Sequence, residues 1–295
     1  MSRGNLLAGI ALSAAGIGVL SAMDATAKSL GAALSPFQIG FVRYLGAALW
    51  LVPVIVLTRG AWPKRRNIGR HAARAALMAL TAGLFFHALV HLPLAIATAL
   101  WMSAPVYVSL LGVVLLKERF TTGLALALLL GMAGSLVIVL GGAAVEAGSG
   151  ADLLAWAAAI LAPVSYASAL LLLKHHAEDE SAASMTLAQS LIAALLFLPL
   201  ALPGFNVPSG GPWLQIALVG LLGAVGIMLL TTGLRRVPAS VFSVLDYTGL
   251  LWAAAFGVLL FAEIPGPQFW AGGGMIIAAC AVSARGGNRA APVSA

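Results

Sequence analysis

Ten apolar runs, each about long enough to cross a bilayer, follow one another with almost nothing between them. They cover roughly residues 6–30, 36–58, 74–91, 94–116, 122–142, 152–173, 183–203, 212–234, 238–260 and 267–284. An α-helix rises 1.5 Å per residue, so about 20 apolar residues cross about 30 Å of hydrocarbon. The runs are rich in Leu and Ala and lack period-two alternation, which points to helices rather than barrel strands. The connections His91-Leu92-Pro93, Lys117-Glu118-Arg119 and Arg235-Arg236-Val237-Pro238 leave no room for a soluble domain. Pro36, Pro93, Pro238 and Pro265 mark helix starts and turns. Charged residues are only 8% of the chain, against about 25% in soluble domains. With 61% hydrophobic residues and a mean hydropathy of +1.03, the chain needs the bilayer as its solvent. The first run has no small-residue cleavage site at the right distance and reads as helix one rather than a signal peptide.

The net charge is +7, but the basic residues form no patch for nucleic acid. They lie between the apolar runs. Alternating along ten spans, one side collects Arg3, Arg59, Lys64, Arg65, Arg66, Arg70, Arg74, Lys117, Arg119, Lys174, Arg235, Arg236, Arg285 and Arg289. The other side has Lys28 alone, and Arg43 falls inside span two. The positive-inside rule then puts both termini in the cytoplasm. The basic loop over 59–74 is expected to touch anionic lipid.

The two halves align on each other. At an offset of 146 residues Ser35-Pro36 falls on Ser181-Ala182, Pro53 on Pro199 and Lys28 on Lys174. At 145, Leu92-Pro93 falls on Val237-Pro238, and Leu115-Leu116-Lys117-Glu118 on Leu260-Phe261-Ala262-Glu263. Five is odd, so the second half enters the membrane from the other side. That is the inverted-repeat design of secondary transporters, with a site near the midplane between the repeats. The expected fold is an all-α polytopic membrane protein of ten transmembrane helices in two inverted five-helix repeats. The first repeat is residues 1–146 and the second 147–285, with 286–295 a disordered cytoplasmic tail.

Ser35-Pro36-Phe37, Arg43 and the Ala-rich helix after them resemble the second helix of the EamA module. Ala97-Thr98-Ala99-Leu100, Pro105-Val106 and Leu115 to Thr121, followed by Gly131 and Gly134, resemble its fourth and fifth helices. The second copy is similar through Glu263 and Gly272-Gly273-Gly274. Over its whole length the chain resembles the drug/metabolite transporter superfamily, and within it bacterial exporters of amino acids, aromatic ones included. The resemblance implies a multi-pass protein of the bacterial inner membrane. Two positions depart between copies: Gln189 stands where Arg43 does, and Leu250 where Pro105 does. Any role there belongs to one half only.

Ionisable groups inside a bilayer are costly and usually functional. Asp24 and Lys28 share a face of helix one at i, i+4, acid first. By helical rise, Asp24 and Arg43 each lie about 10 Å deep from the same side. A buried Asp24–Arg43 pair with Lys28 nearer water is expected, as a structural network or for coupling. Asp246 lies about 12 Å deep in span nine, and Trp101 holds the equivalent place in span four. An aromatic face and a carboxylate together could receive an apolar ligand bearing an ammonium group. Tyr247 and Tyr107 add phenolic hydroxyls; His87 could relay protons; Tyr166, after Pro163 and Ser165, could line the cavity from a bent helix. Thr232, beside Thr231 on span eight, adds a hydroxyl. Each of these has a plainer use in packing or interhelical hydrogen bonds.

Glu118 and Glu263 match across the repeat but end helices at opposite surfaces, which suits caps or tethers. The loop from Lys174 to Glu180 reads as a solvated turn of mixed charge rather than a metal site. No P-loop, HExxH or serine–histidine–acid arrangement appears, so no catalytic residue, metal or cofactor is expected. Cys280 is the single cysteine and forms no intrachain disulfide. The expected function is export of small metabolites, amino acids foremost, by alternating access, with the chain a monomer or homodimer. A sugar-nucleotide or lipid-carrier translocator on the same fold is the alternative. A membrane-embedded lipid-modifying enzyme would need a catalytic cluster at one interface, which the sequence lacks.

Overall fold

The computed structural model describes residues 3–31, 33–91, 100–142, 153–176, 180–204, 212–261 and 266–287. Its α-helices in chain order are α1 (Arg3–Leu30), α2 (Pro36–Leu57), α3 (Ile68–His91), α4 (Ala104–Leu116), α5 (Thr122–Gly142), α6 (Leu153–His176), α7 (Ala182–Ala201), α8 (Trp213–Leu234), α9 (Ala239–Asp246), α10 (Thr248–Phe261) and α11 (Pro267–Gly287), with a 3₁₀ turn over Arg65–Asn67. No strand occurs among the described residues.

Local chemistry sets several of these boundaries. Ser35 caps α2 in a reciprocal box: the Ser35 amide donates to Gln38 Oε1 at 2.8 Å, and the Gln38 amide to Ser35 Oγ at 3.4 Å. Pro36 fits the first helical position, where no amide partner is lost. Ser181 caps α7 in the same manner, accepting from the Ser184 amide at 3.1 Å. α4 ends on Lys117, which is left-handed at φ 54° and lets the Glu118 amide reach back to the Gly112 carbonyl at 3.3 Å.

Among the described residues, six helical stretches are long and apolar enough to cross a membrane: Gly4–Ala27, Phe37–Leu57, Leu153–His175, Ala182–Ala201, Trp213–Leu234 and Ala239–Leu260. Ala104–Leu116 and Thr122–Ile138 are shorter apolar helices. Residues 92–99, which include the first six residues of the expected fourth span, lie outside the described residues. α3 begins six residues before the expected span and carries Arg70, His71 and Arg74 on its first turns. Large apolar side chains face outward on many helices, among them Leu57, Leu259 and Trp270 at 82, 75 and 71% exposure. Such a surface is stable only against lipid.

The expected span over 238–260 is present as the stretch Ala239–Leu260, with one irregularity inside it: α9 and α10 meet at Tyr247. The Thr248 hydroxyl donates to the Leu245 carbonyl at 2.6 Å, taking an acceptor that continuous helix would give to the next turn. A matching interruption precedes α4, where Met102 and Ser103 form a turn and the Ser103 hydroxyl donates to the Leu100 carbonyl at 2.5 Å.

The main helix pairings are α1 with α8, α3 with α6, α5 with α11, and α2 with both α7 and α8. α3 also packs on α7, α4 on α6 and α9, and α1 on α9 and α10. Small residues permit the closest approaches. A Cβ added at Gly134 would lie 2.6 Å from the Gly272 carbonyl oxygen, and one at Gly272 would lie 2.4 Å from that of Gly134.

Candidate functional site

Three aromatic rings and two carboxylates converge between α1, α3, α6 and the two interrupted helices. Phe85 of α3 packs tilted against Trp101 with ring centres 4.8 Å apart, and Trp101 meets Tyr166 of α6, also tilted, at 5.4 Å. The Tyr166 hydroxyl donates to Asp246 Oδ1 at 3.4 Å. Asp24 of α1 also acts electrostatically on Tyr166, and Arg43 acts on Asp24. Asp24 itself is exposed about two turns from the end of α1. Trp101, Tyr166 and Asp246 are half-buried.

Each residue is held there by its helix. Asp246 ends the eight-residue α9, and its backbone is fixed by the break at Tyr247. Tyr166 lies one turn beyond Pro163, and Ser165 beside it donates to the Leu77 carbonyl of α3 at 2.9 Å. Arg43 stacks its guanidinium 5.1 Å from the Tyr44 ring centre and runs along Gly223 of α8, where a Cβ would stand 3.7 Å from Arg43 Cγ. Its charge reaches Asp24 through space; no direct hydrogen bond joins the two among the described contacts.

The other expected site residues make the following contacts. Tyr247 is 1% exposed, seated against Gly131 of α5, with its hydroxyl 3.5 Å from the Leu128 carbonyl. Tyr107 packs on the core around Val108, Phe242 and Leu245. The Thr232 hydroxyl donates to the Met228 carbonyl of its own helix at 2.7 Å. His87 is half-buried and two residues beyond Phe85; that is a turn of about 200° around the helix, so the two do not share a face. The side chain of Lys28 and all of Glu263 lie outside the described residues.

Two polar clusters lie outside this group, the first around a glutamate expected to cap or tether and the second unforeseen in the sequence. In the first, Glu118 is a hub. Its Oε1 accepts from the Ala239 amide at 2.6 Å and from Lys174 Nζ at 2.8 Å, and its Oε2 accepts from the Ser240 amide at 2.9 Å. Lys174 also donates to the Val237 carbonyl at 2.9 Å. Burial pushes the Glu118 carboxyl up, but the Lys174 ammonium and the two amides outweigh it and hold it below the ordinary 4.5. The cap expected of Glu118 is thus present, on α9 of the other half.

In the second cluster Glu180 is 8% exposed and accepts from Asn67 Nδ2 and, at 2.7 Å, from the Ser184 hydroxyl. His71 Nε2 stands 3.3 Å away. Arg235 donates to the Glu180 carbonyl and Arg74 to that of Met185 at 2.6 Å. The solvated turn expected here is therefore corrected at both ends: Lys174 and Glu180 are tied into the protein, while 177–179 lie outside the described residues.

Chemically, this cluster holds an apolar aromatic face, two carboxylates that suit a cationic group and one guanidinium that suits an anionic group. Among the described residues, no three His, Cys, Asp or Glu side chains gather to hold a metal.

Comparison with known proteins matches the profile described as the EamA-like transporter family over residues 5–140 and again over 153–285. A pseudopaline exporter of Pseudomonas aeruginosa is 27% identical over 281 residues, 95% of this chain and 97% of that one. A riboflavin transporter of Brucella anthropi is 26% identical over 247 residues, 82% of this chain and 85% of that one. An S-adenosylmethionine uptake transporter of Rickettsia felis is 26% identical over 262 residues, 88% and 86%. A solved protein crystal structure superposes with a TM-score of 0.76 at 18% identity, covering 98% of this chain and 99% of that one; it shares the fold.

Proposed function

This chain belongs to the EamA-like transporter family, and we propose that it is a secondary transporter that exports small amphoteric metabolites, amino acids with aromatic side chains foremost. The observation that carries the reading is the ladder Phe85–Trp101–Tyr166 running onto Asp246, with Asp24 and Arg43 close by. A substrate's ring or apolar side chain lies on the ladder. Its ammonium pairs with Asp246 or Asp24, where cation–π attraction from Trp101 adds to the charge pairing. Its carboxylate pairs with Arg43, whose fork suits a planar anion. Relatives named for different cargoes fit a family in which cavity side chains, not the fold, set the substrate.

The cycle is alternating access between two inverted five-helix repeats, 1–146 and 147–285, spanning the membrane ten times with both ends in the cytoplasm. Helix packing supports the exchange. Replacing each span by the one five later turns the α1–α8 contact into α6–α3, α2–α8 into α7–α3, and α4–α6 into the contact of α9 and α10 with α1. The pairings α2–α7, α5–α11 and α4–α9 map onto themselves. Ser35 and Ser181 cap matching helices, and the hydroxyls of Ser103 and Thr248 mark matching interruptions. Two near-equivalent halves give two states of similar energy, which a carrier needs. The bilayer surrounds the apolar exterior, and the 59–74 loop meets anionic lipid.

The test is purified protein in liposomes, assayed against a panel of radiolabelled amino acids with and without a proton gradient. Saturable flux, competed most strongly by aromatic amino acids, is expected. A panel with no flux above protein-free liposomes refutes the assignment.

A further inference from the structure

Glu118 does more than end a helix. Lys117 is left-handed, which turns the chain so that Glu118 faces the start of α9. The end of α4 presses closely on that start: a Cβ at Gly112 would lie 3.1 Å from Ala239 Cβ and 3.6 Å from Glu118 Oε2. The carboxylate then clips the first two amides of α9, and Lys174 closes the clip by bridging to the Val237 carbonyl just before them. α9 is only eight residues long, about 12 Å. Its other end is Asp246, hydrogen-bonded to Tyr166, and beyond that lies the break at Tyr247. A rigid rod clipped at one end and hinged at the other transmits motion between them.

We infer that Glu118, paired with Lys174, is a positioning residue of the transport cycle: it seats α9 so that Asp246 meets Tyr166, and its release lets α9 swing on the Tyr247 break and open the cytoplasmic side. The inference rests on the proposed reading, in which Asp246 lines the cavity and the Glu118 face is cytoplasmic. The clip joins the two halves, because Glu118 stands in the first and Lys174, Ala239 and Ser240 in the second. It is therefore broken whenever those surfaces part. Both partners are about one-sixth exposed, at 17% for Lys174 and 14% for Glu118, so water can reach the pair as it separates.

The experiment uses the full chain in a Cys280→Ser background and needs no substrate. Ser243, one turn along α9 and fully buried, is replaced by cysteine. Labelling by a membrane-impermeant sulfonated maleimide is followed in inverted and in right-side-out vesicles. Ala127→Cys, fully buried on α5, is the control. Losing one charge-assisted hydrogen bond shifts a two-state equilibrium by roughly tenfold or more. Glu118→Gln should thus raise labelling of Ser243→Cys by about tenfold in inverted vesicles only, and Lys174→Gln should raise it in the same direction. Ala127→Cys should stay slow in both. Unchanged Ser243→Cys labelling in both variants overturns the inference. So does a rise from the opposite face, or an equal rise at Ala127→Cys, which marks a general brace. The underlying reading has its own arm: if Asp246→Asn transports as wild type while Glu118→Gln still opens the cytoplasmic side, the cavity assignment fails and the clip stands.

Discussion

Gly131→Ala is a one-carbon change whose effect the packing fixes in sign and size. The added Cβ would lie 2.4 Å from Tyr247 Cδ2 and 2.6 Å from its Cε2, well inside van der Waals contact. The ring cannot step aside cheaply. Tyr247 is 1% exposed and packs in a cluster with Leu124, Leu128, Val244 and Ile276. Overpacking of this kind costs roughly 1–3 kcal/mol. Against it stands the helical gain of Ala over Gly, about 0.5–1 kcal/mol. Gly274→Ala separates the two terms: it too is helical, but no atom lies within 4 Å of its added Cβ. The expected order of stability is Gly274→Ala at or above wild type and Gly131→Ala below it by about 1–2 kcal/mol net. At about 2–4 °C per kcal/mol, the gap in Tm is several degrees, readable by thermal unfolding in one detergent. Gly131→Ala with Tyr247→Leu should recover part of the loss, since the clashing ring is gone. Equal Tm values for the two alanine variants would refute the packing of Tyr247 on α5.

Further outcomes follow from other residues. Ser35→Ala removes the capping box of α2 and should cost about 0.5–2 kcal/mol in the same assay. Lys117→Gly relieves a left-handed residue and should leave stability unchanged or raise it by up to about 1–2 kcal/mol, read as an unchanged or higher Tm. Burial raises the Glu180 carboxyl, yet hydrogen bonds from Ser184 and Asn67, with His71 alongside, win and hold it below the ordinary 4.5. A carboxyl depressed in the folded state stabilises it above the unfolded value, and that contribution is lost as pH falls through the folded one. Tm measured from neutral pH down to about 3 should therefore drop further for wild type than for Glu180→Gln.

Much of the helical frame was legible because a bilayer demands it. The starts of α2 at Ser35-Pro36 and of α7 at Ser181, and the whole of α5, stand where capping chemistry and apolar length put them. The interruption at Tyr247 was not legible: unlike the turn before α4, which Pro105 follows, it has no proline beside it, and Gly249 two residues on is one glycine among 33. That Asp246, Trp101 and Tyr166 meet was partly legible, since polar or bulky aromatic side chains at midplane depth are few. The contact of Phe85 with Trp101 was not, because nothing marks one phenylalanine among eleven. The tie between Glu180 and the first turns of α3 joins residues about 110 apart, a distance no local pattern reports.

The central claim is that cargo crosses by way of the ladder and its carboxylate. The most direct measurement is counterflow of labelled L-phenylalanine in proteoliposomes holding wild type, Trp101→Ala or Asp246→Asn at equal protein. The account predicts saturable counterflow in wild type, a fall of at least about tenfold in Asp246→Asn, where a buried charge pairing is lost, and a higher half-saturation in Trp101→Ala. Equal counterflow in all three would contradict it.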